Sequence, residues 1–341
     1  MTANLTPEYK AAEAAFRKAR DPRERFERLR EMLRVLPKHK GTDHLQGDIK
    51  RRIKELSEEL ERPKKSGARG GPPLVIQPEG AAQIAFLGPP NTGKSSLHAR
   101  LTGSGAQAAP YPFTTQYPEP GMMPYADIHF QLVDLPAISP EHPVSWLASA
   151  LQTADACLLV VDLGDPACVD RIEALHAVLR EKRVTLSDRW EPEGQPAREA
   201  AEVDEGPFAL QLPAVLLANR ADLLADVDTE LRTFLELTGI RYPAFAVSAT
   251  TGRGLGEIGP LLFCQLGIVR AYTKVPGRLP DWDRPFTLRR GQTVGDVARL
   301  VHKDVARSLK YARVWGKAGF DGQHVGRDYP LADGEVVELH T

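Results

Sequence analysis

The chain has 341 residues, on the order of two or three domains in length, and its 44 Lys+Arg against 45 Asp+Glu leave a net charge of −1. That balance excludes a uniformly basic nucleic-acid binder, so any contact with RNA has to come from local patches. No leader-like segment, internal repeat or run of about 18 apolar residues is visible. Cys157, Cys168 and Cys264 lack metal-ligand spacing, and the expectation is a soluble, cytoplasmic protein, without a membrane anchor, whose thiols are buried and reduced. Residues 1–66 read as a helical hairpin region. Phe26, Leu29, Leu33 and Leu36 mark a helix with Asp21 as N-cap and Pro22 in its first turn. Leu45, Ile49, Ile53, Leu56 and Leu60 mark a second helix with one apolar stripe and charged remaining faces. Between them Lys38, His39 and Lys40 sit on an exposed tip, a pattern compatible both with a solvated turn and with RNA contact. A stretch rich in Pro, Gly, Lys and Ser runs from Arg62 to Gly80, so 67–80 is read as linker.

An apolar strand over Ile84–Leu87 then opens into Gly88-Pro-Pro-Asn-Thr-Gly-Lys-Ser95, followed by a helical start at Ser95-Ser96-Leu97. A nucleoside triphosphate carries several negative charges and needs converging backbone N–H groups, a cation and a place for Mg²⁺. This octapeptide supplies all three: Gly88 and Gly93 let the backbone curl, Asn91, Thr92 and Gly93, with Ser96 just after it, flank the phosphates, Lys94 reaches the β- and γ-phosphates, and the Ser95 hydroxyl faces Mg²⁺. A glycine-rich turn explains the composition but not the strand, loop and helix order. The next apolar run, Ile128 to Asp134, ends where a P-loop NTPase places its second Mg²⁺ carboxylate, so Asp134 is that candidate.

A further strand, Ala214–Ala218, leads into Asn219-Arg220-Ala221-Asp222, similar to the Asn-Lys-x-Asp element that reads guanine. A carboxylate at Asp222 accepts from guanine N1–H and the 2-amino group, whereas adenine offers an acceptor at N1 and no amino group there. Mismatching two charged hydrogen bonds discriminates by several orders of magnitude. Ser248-Ala249-Thr250, after the strand Ala244–Val247, resembles the loop that touches the guanine oxygen. Leu186 to Gly206 reads as an irregular acidic insertion. In the C-terminal part Pro285–Leu288 reads as a strand, Thr293 as N-cap of a helix from Val294 to about Leu309, and Glu335–Leu339 as a closing strand.

Tyr111-Pro-Phe-Thr-Thr115 narrows the picture. With the motifs above, it resembles switch I of the Obg-related GTPases, in particular the developmentally regulated GTP-binding (DRG) branch. The segments Tyr272-Thr-Lys274, Val301–Asp304, Lys310–Ala312, Val314–Gly316, His324–Gly326 and Glu335–Glu338 resemble the TGS module of the same proteins. The resemblance spans roughly residue 30 to the end. It implies an α/β fold: a Ras-like P-loop GTPase domain over 81–271 and a β-grasp TGS domain over 272–341, after the helical hairpin. By the same resemblance Thr115 joins Ser95 and Asp134 at Mg²⁺, Thr114 neighbours the phosphates, and Lys94, Thr115 and Asp134 serve catalysis. It also implies GTP/GDP as ligand, and docking on a ribosome, RNA or a protein partner through the hairpin and the TGS module. Asn91 stands where K⁺-stimulated relatives place an ion ligand; an ordinary loop asparagine is the other reading.

Several residues depart from that pattern. Arg220 replaces Lys, Ala137 replaces a Gly whose N–H meets the γ-phosphate, and Ile138 stands where Ras-like enzymes orient water with Gln. If Ala137 needed positive φ, the residue would cost about 1–2 kcal/mol. Ser139–Pro143 replaces a Gly-rich stretch, and the domain inserted in DRG proteins before the guanine-reading element is absent. The resulting expectation is slow GTP hydrolysis, with a nucleotide-dependent RNA-binding adaptor lacking turnover as the alternative.

Overall fold

A computed structural model describes residues 6–19, 22–37, 42–61, 74–103, 116–142, 144–190, 209–316 and 321–341. The chain divides into two units, 1–72 and 73–341. Helix formation in the first unit starts earlier than the apolar pattern after Asp21 suggests. Helix α1 (Pro7–Lys18) is capped by Thr6, whose hydroxyl accepts from the Tyr9 amide at 3.2 Å. It buries Tyr9, Ala12 and Phe16 on one stripe. Helices α2 (Pro22–Val35) and α3 (Asp43–Glu61) follow, α1 packing on α2 and α2 on α3. The region is therefore three helices rather than a hairpin. Leu29, Leu36 and Ile49 are buried as expected, but the buried side chain of the third α2 turn is Met32, with Leu33 and Phe26 only half-buried. Arg30 lies over the Phe26 ring at 5.6 Å, which keeps that ring near the surface. Asp21 and the basic residues Lys38, His39 and Lys40 lie outside the described residues.

In the second unit the elements run β1 (Gln83–Leu87), α4 (Lys94–Thr102), β2 (Glu119–Tyr125), β3 (Ile128–Asp134), α5 (Leu147–Leu151), β4 (Ala156–Asp162), α6 (Cys168–Glu181), β5 (Val184–Ser187), β6 (Leu210–Asn219), α7 (Val227–Thr238), β7 (Ala244–Ala246) and α8 (Ile258–Gln265). They build a 7-stranded sheet in the order β2-β3-β1-β4-β6-β5, with β7 also on β6. Every pairing is parallel except β2 with β3. Strands buried on both faces read as continuous apolar runs, as β1 and β4 do. Alternate residues separate the two cores: Ala85, Leu87, Leu159 and Val161 pack with Leu175 and Leu179 of α6 and Phe234 of α7. Ile84, Phe86, Leu158 and Val160 pack with Leu97 of α4 and Ile258 and Leu262 of α8. This three-layer arrangement carries the ends of β1, β3, β4 and β6 to one edge, where binding sites of open α/β sheets form.

The remaining elements are β8 (Ile268–Thr273), β9 (Asp281–Arg289), α9 (Val294–Val301), α10 (Lys303–Ser308), β10 (Tyr311–Trp315), β11 (Gln323–Val325) and β12 (Glu335–His340). They form a 5-stranded sheet in the order β11-β10-β12-β8-β9, with β8 and β12 parallel at its centre and Val294 and Val297 of α9 packed on it. This is the β-grasp arrangement. Its first strand starts at Ile268, ahead of the boundary at 272 drawn from the sequence. The helix after Thr293 is not continuous to Leu309. It begins with a capping box between Thr293 and Asp296 and breaks at His302, whose extended backbone and ring nitrogen cap α10 through the Asp304 amide at 3.2 Å.

Other sequence expectations shift for local reasons. Leu186 and Ser187, assigned to the insertion, pair with Leu212 and Pro213 in the sheet, while 191–208 lie outside the described residues. The end of the linker is bound to the sheet: the Glu79 amide donates to Gln131 at 3.2 Å and Gly80 bridges Phe130. Cys157 is buried, but Cys168 is half-buried and Cys264 exposed. Cys264 is on the outward side of α8, opposite Ile258 and Leu262. No helix among the described residues is long and apolar enough to cross a membrane.

The two sheets are joined by charged pairs that neither sequence segment reveals alone. Arg289 of β9 pairs with Asp155 at 2.9 Å, with side chains 13% and 4% exposed, and Asp155 also accepts from the Gln83 amide at 2.8 Å. Removing one partner of a buried pair leaves the other charge uncompensated and costs about 3 kcal/mol or more. Asp155→Ala is therefore expected to lower the unfolding free energy by about 3 kcal/mol in urea denaturation. A change under about 0.5 kcal/mol would show the pair to be without net effect.

Candidate functional site

The site grows from the turn between β1 and α4. Gly88 has to be glycine because a Cβ there would meet the Val160 carbonyl of β4 at 2.6 Å. Gly93 adopts φ +77 and its Cβ would meet the Asn219 amide nitrogen at 2.4 Å. Asn91 is left-handed as well, at φ 64, a region that Asn tolerates better than most residues. The loop therefore curls under β4 and β6 and delivers the first turn of α4, with its free backbone N–H groups, to the sheet edge.

Lys94, Ser95 and Asp134 converge there. The Lys94 ammonium pairs with one Asp134 carboxylate oxygen, and the Ser95 hydroxyl donates to the other at 2.5 Å. Asp134 is 0% exposed and Lys94 6%. A buried cation and a hydroxyl from the first turn of α4 thus meet a carboxylate from the end of β3 at one point. In this arrangement the Lys94–Asp134 pair is what a phosphate chain would have to open. Thr92 is buried, its hydroxyl donating to the Pro89 carbonyl at 3.2 Å, and Ser96 is half-buried on α4. Thr114 and Thr115 lie outside the described residues.

Asn219 ends β6 as a brace. Its amide nitrogen donates to the Thr92 carbonyl at 2.9 Å, and its amide oxygen accepts from the Ala249 backbone at 3.3 Å. It ties the phosphate loop to the Ser248–Thr250 loop, so both ends of its amide are engaged with protein, while Asp222 is exposed. Ser248 is 0% exposed; its hydroxyl accepts from the Thr251 amide at 3.1 Å. Ala249 is half-buried and Thr250 exposed. Arg220 is left-handed at φ 60, and its guanidinium pairs with Asp162 at the end of β4. The pair ties the segment after β6 to the end of β4.

After Asp134 the chain turns back across the phosphate loop. The Ile138 amide donates to the Gly88 carbonyl at 3.1 Å, and the Ile138 side chain is 2% exposed within the core that holds Leu135 and Leu147. It points away from the site and cannot orient water. Ala137 is not among the positive-φ residues, so the methyl group introduces no backbone strain in this conformation.

Two contributors were missed. Asp162 ends an apolar strand as Asp134 does, and that shared pattern was the available signal. Arg171, in the first turn of α6, donates to the Pro90 carbonyl at 3.4 Å and pairs with Asp165 at 3.0 Å; nothing local in the sequence marks it.

Comparison with known proteins fits this geometry. Residues 83–188 match the family described as 50S ribosome-binding GTPase, and residues 269–341 match the TGS domain family. Over 93% of its length the chain is 28% identical to an uncharacterized GTP-binding protein of Methanocaldococcus jannaschii, of which it covers 92%. It is 26% identical, again over 93% of its length, to developmentally-regulated G-protein 2 of Arabidopsis thaliana, covering 90% of it. With ribosome-interacting GTPase 1 of Saccharomyces cerevisiae the identity is 25% over 89% of this chain and 94% of that one.

Proposed function

Since the chain is a GTP-binding protein of the DRG type, a P-loop GTPase domain followed by a TGS domain, we propose that it hydrolyses GTP slowly to GDP and phosphate and docks on a ribosome or RNA according to nucleotide state. The observation that carries the proposal is the convergence of Lys94, Ser95 and Asp134 beneath the loop. Lys94 neutralises phosphate charge once it leaves Asp134. Ser95 and Asp134 are hard oxygen donors and fit Mg²⁺, with Thr115 as the further ligand expected from the sequence. The metal would neutralise charge between the β- and γ-phosphates. Asp222 accepts from the guanine edge, Arg220 stacks beside it, and Asn219 with Ser248, Ala249 and Thr250 holds the base loop. Asn91 is the candidate K⁺ ligand. Slow turnover is supported by Ile138, an apolar side chain buried in the core that cannot position water from that place. That burial also favours the second reading, an adaptor that binds GTP or GDP without turnover.

Coupling to the TGS domain has a physical route. β3 carries Asp134 at one end and joins β2 through Ala126-Asp127 at the other. Arg270 donates to Asp127 at 2.8 Å and Tyr272 donates its hydroxyl to the same carboxylate. Burial pushes the Asp127 carboxyl up, but these hydrogen bonds outweigh it and hold it below the usual range. Arg270 is itself fixed by Asp333 at 2.7 Å. A shift of β3 would therefore be felt in β8.

The test is co-sedimentation of the full chain with ribosomes. The expected result is sedimentation with a non-hydrolysable GTP analogue and release with GDP. Arg270→Ala should keep nucleotide affinity within about threefold while shrinking that difference. Equal sedimentation in both nucleotide states, or none, would contradict the docking role.

A further inference from the structure

Transfer of the γ-phosphoryl group to water spreads negative charge over its oxygens, and a cation supplied at that point is worth roughly 10³–10⁵ in rate. Lys94 is one such cation. A second basic side chain already touches the phosphate loop: Arg171, on the first turn of α6, donates to the Pro90 carbonyl at 3.4 Å. We propose that Arg171 is a catalytic residue, a cation furnished from within the chain to the γ-phosphate of GTP during hydrolysis. The inference rests on the GTPase reading given above.

Four observations carry it. The first is position. β4 lies beside β1, so the segment after β4 that leads into α6 emerges at the edge where Gly88–Ser95 turns, and Arg171 crosses from it to the loop.

The second is the state of the side chain. At 3.4 Å the bond to Pro90 exceeds the usual 2.7–3.2 Å range for N–H···O contacts, which makes it a weak brace. The other partner, Asp165, also accepts from the Ala167 amide at 3.0 Å, and Arg171 remains 41% exposed. Its guanidinium can leave Asp165 for a triphosphate without stranding a buried charge. The planar, permanently charged fork of arginine matches phosphate geometry as it does carboxylate, so a triphosphate can replace Asp165 as its partner.

The third is a gap in the loop. Pro89 and Pro90 have no amide hydrogen, so neither backbone position can donate to an oxygen, and the guanidinium brings donors to that stretch. The fourth is the buried Ile138, an apolar side chain that offers water no hydrogen bond from that position, so charge stabilisation carries more of the proposed rate.

In the step itself water attacks the γ-phosphorus, the bond from that phosphorus to the β-γ bridging oxygen breaks, and GDP leaves with the electron pair. The proton lost by water goes to phosphate or solvent. Arg171 gains and loses nothing; it supplies only charge and hydrogen bonds.

The test uses the full chain with Mg²⁺ and K⁺, comparing wild type, Arg171→Ala and Arg171→Lys in three measurements: GDP affinity, single-turnover GTP hydrolysis, and the fluorescence change of an N-methylanthraniloyl-GDP complex on adding aluminium fluoride, which mimics the transferring phosphoryl group. The expected result is GDP affinity within about threefold of wild type, hydrolysis down by roughly 10²-fold or more in Arg171→Ala, and loss of the aluminium fluoride response. Arg171→Lys should fall between. A parallel loss of GDP affinity and hydrolysis would make Arg171 a loop brace and overturn the proposal. Unchanged hydrolysis in Arg171→Ala would overturn it while leaving the GTPase reading intact. A wild-type protein that binds GTP but neither hydrolyses it nor responds to aluminium fluoride would overturn both, in favour of the adaptor.

Discussion

Lys94→Ala is expected to weaken GTP and GDP binding by roughly 10²–10⁴-fold, since the proposed site gives Lys94 charged hydrogen bonds to two phosphates at about 1.5–3 kcal/mol each. The loss has a second component in the nucleotide-free protein. Asp134 is 0% exposed and paired to Lys94, so the variant keeps a buried carboxylate whose main counter-charge is gone. Equilibrium titration with a fluorescent GTP analogue measures the first effect, and thermal unfolding without nucleotide measures the second. Binding should fall more for GTP than for a nucleoside monophosphate, because only the longer phosphate chain reaches the ammonium. An equal fall for both would mean that the substitution has collapsed the loop rather than removed a phosphate contact.

Asp222→Asn is expected to reverse base choice. In the proposed site the carboxylate accepts two hydrogens from guanine; an amide in its place would accept one and turn a donor toward the 2-amino group. The mismatch should lower GTP affinity by roughly 10²–10⁴-fold. Xanthine carries a carbonyl in place of that amino group, so the same amide becomes complementary and xanthosine triphosphate should bind the variant better than GTP does. Because Asp222 is exposed in this structure, its substitution leaves the surrounding fold unburdened, and folding losses should not confuse the result. The measurement is competition of GTP, ATP and xanthosine triphosphate against a fluorescent nucleotide. Unaltered preference for GTP would remove Asp222 from the base site.

The parts of the site that were legible in the sequence are those whose chemistry is written in consecutive residues. Gly88, Gly93, Lys94 and Ser95 are read together because a phosphate loop needs glycine where backbone crowds backbone and a cation and hydroxyl immediately after. Asp134 was legible because it ends an apolar strand, and Asp222 was read from the four-residue element that follows another, β6 ending at Asn219. What was not legible depends on which elements become neighbours. The brace made by Asn219 between Thr92 and Ala249 exists only once β6 lies next to β4 and β1. Asp162 needs Arg220, 58 residues on, and Arg171 needs Pro90, 81 residues back. In the fold, α1 was missed because its buried stripe includes the small residue Ala12 beside Tyr9 and Phe16, a weaker apolar signal than the Leu and Ile stripe of α3. The break at His302 was missed because it arises from a side-chain cap on Asp304, with no Gly or Pro to announce it. The hold of Arg270 on Asp127 depends on contact between two sheets, which no local pattern encodes.

The measurement that bears most directly on the central claim is phosphate release from GTP by the purified full chain with Mg²⁺, in K⁺ and in Na⁺, with Lys94→Ala alongside. Slow release by the wild type, faster in K⁺ and absent in Lys94→Ala, is the predicted result, and the K⁺ effect would support Asn91 as an ion ligand. Tight GTP binding with no release in either salt, unchanged when ribosomes are added, would contradict the hydrolase and leave a nucleotide-dependent adaptor.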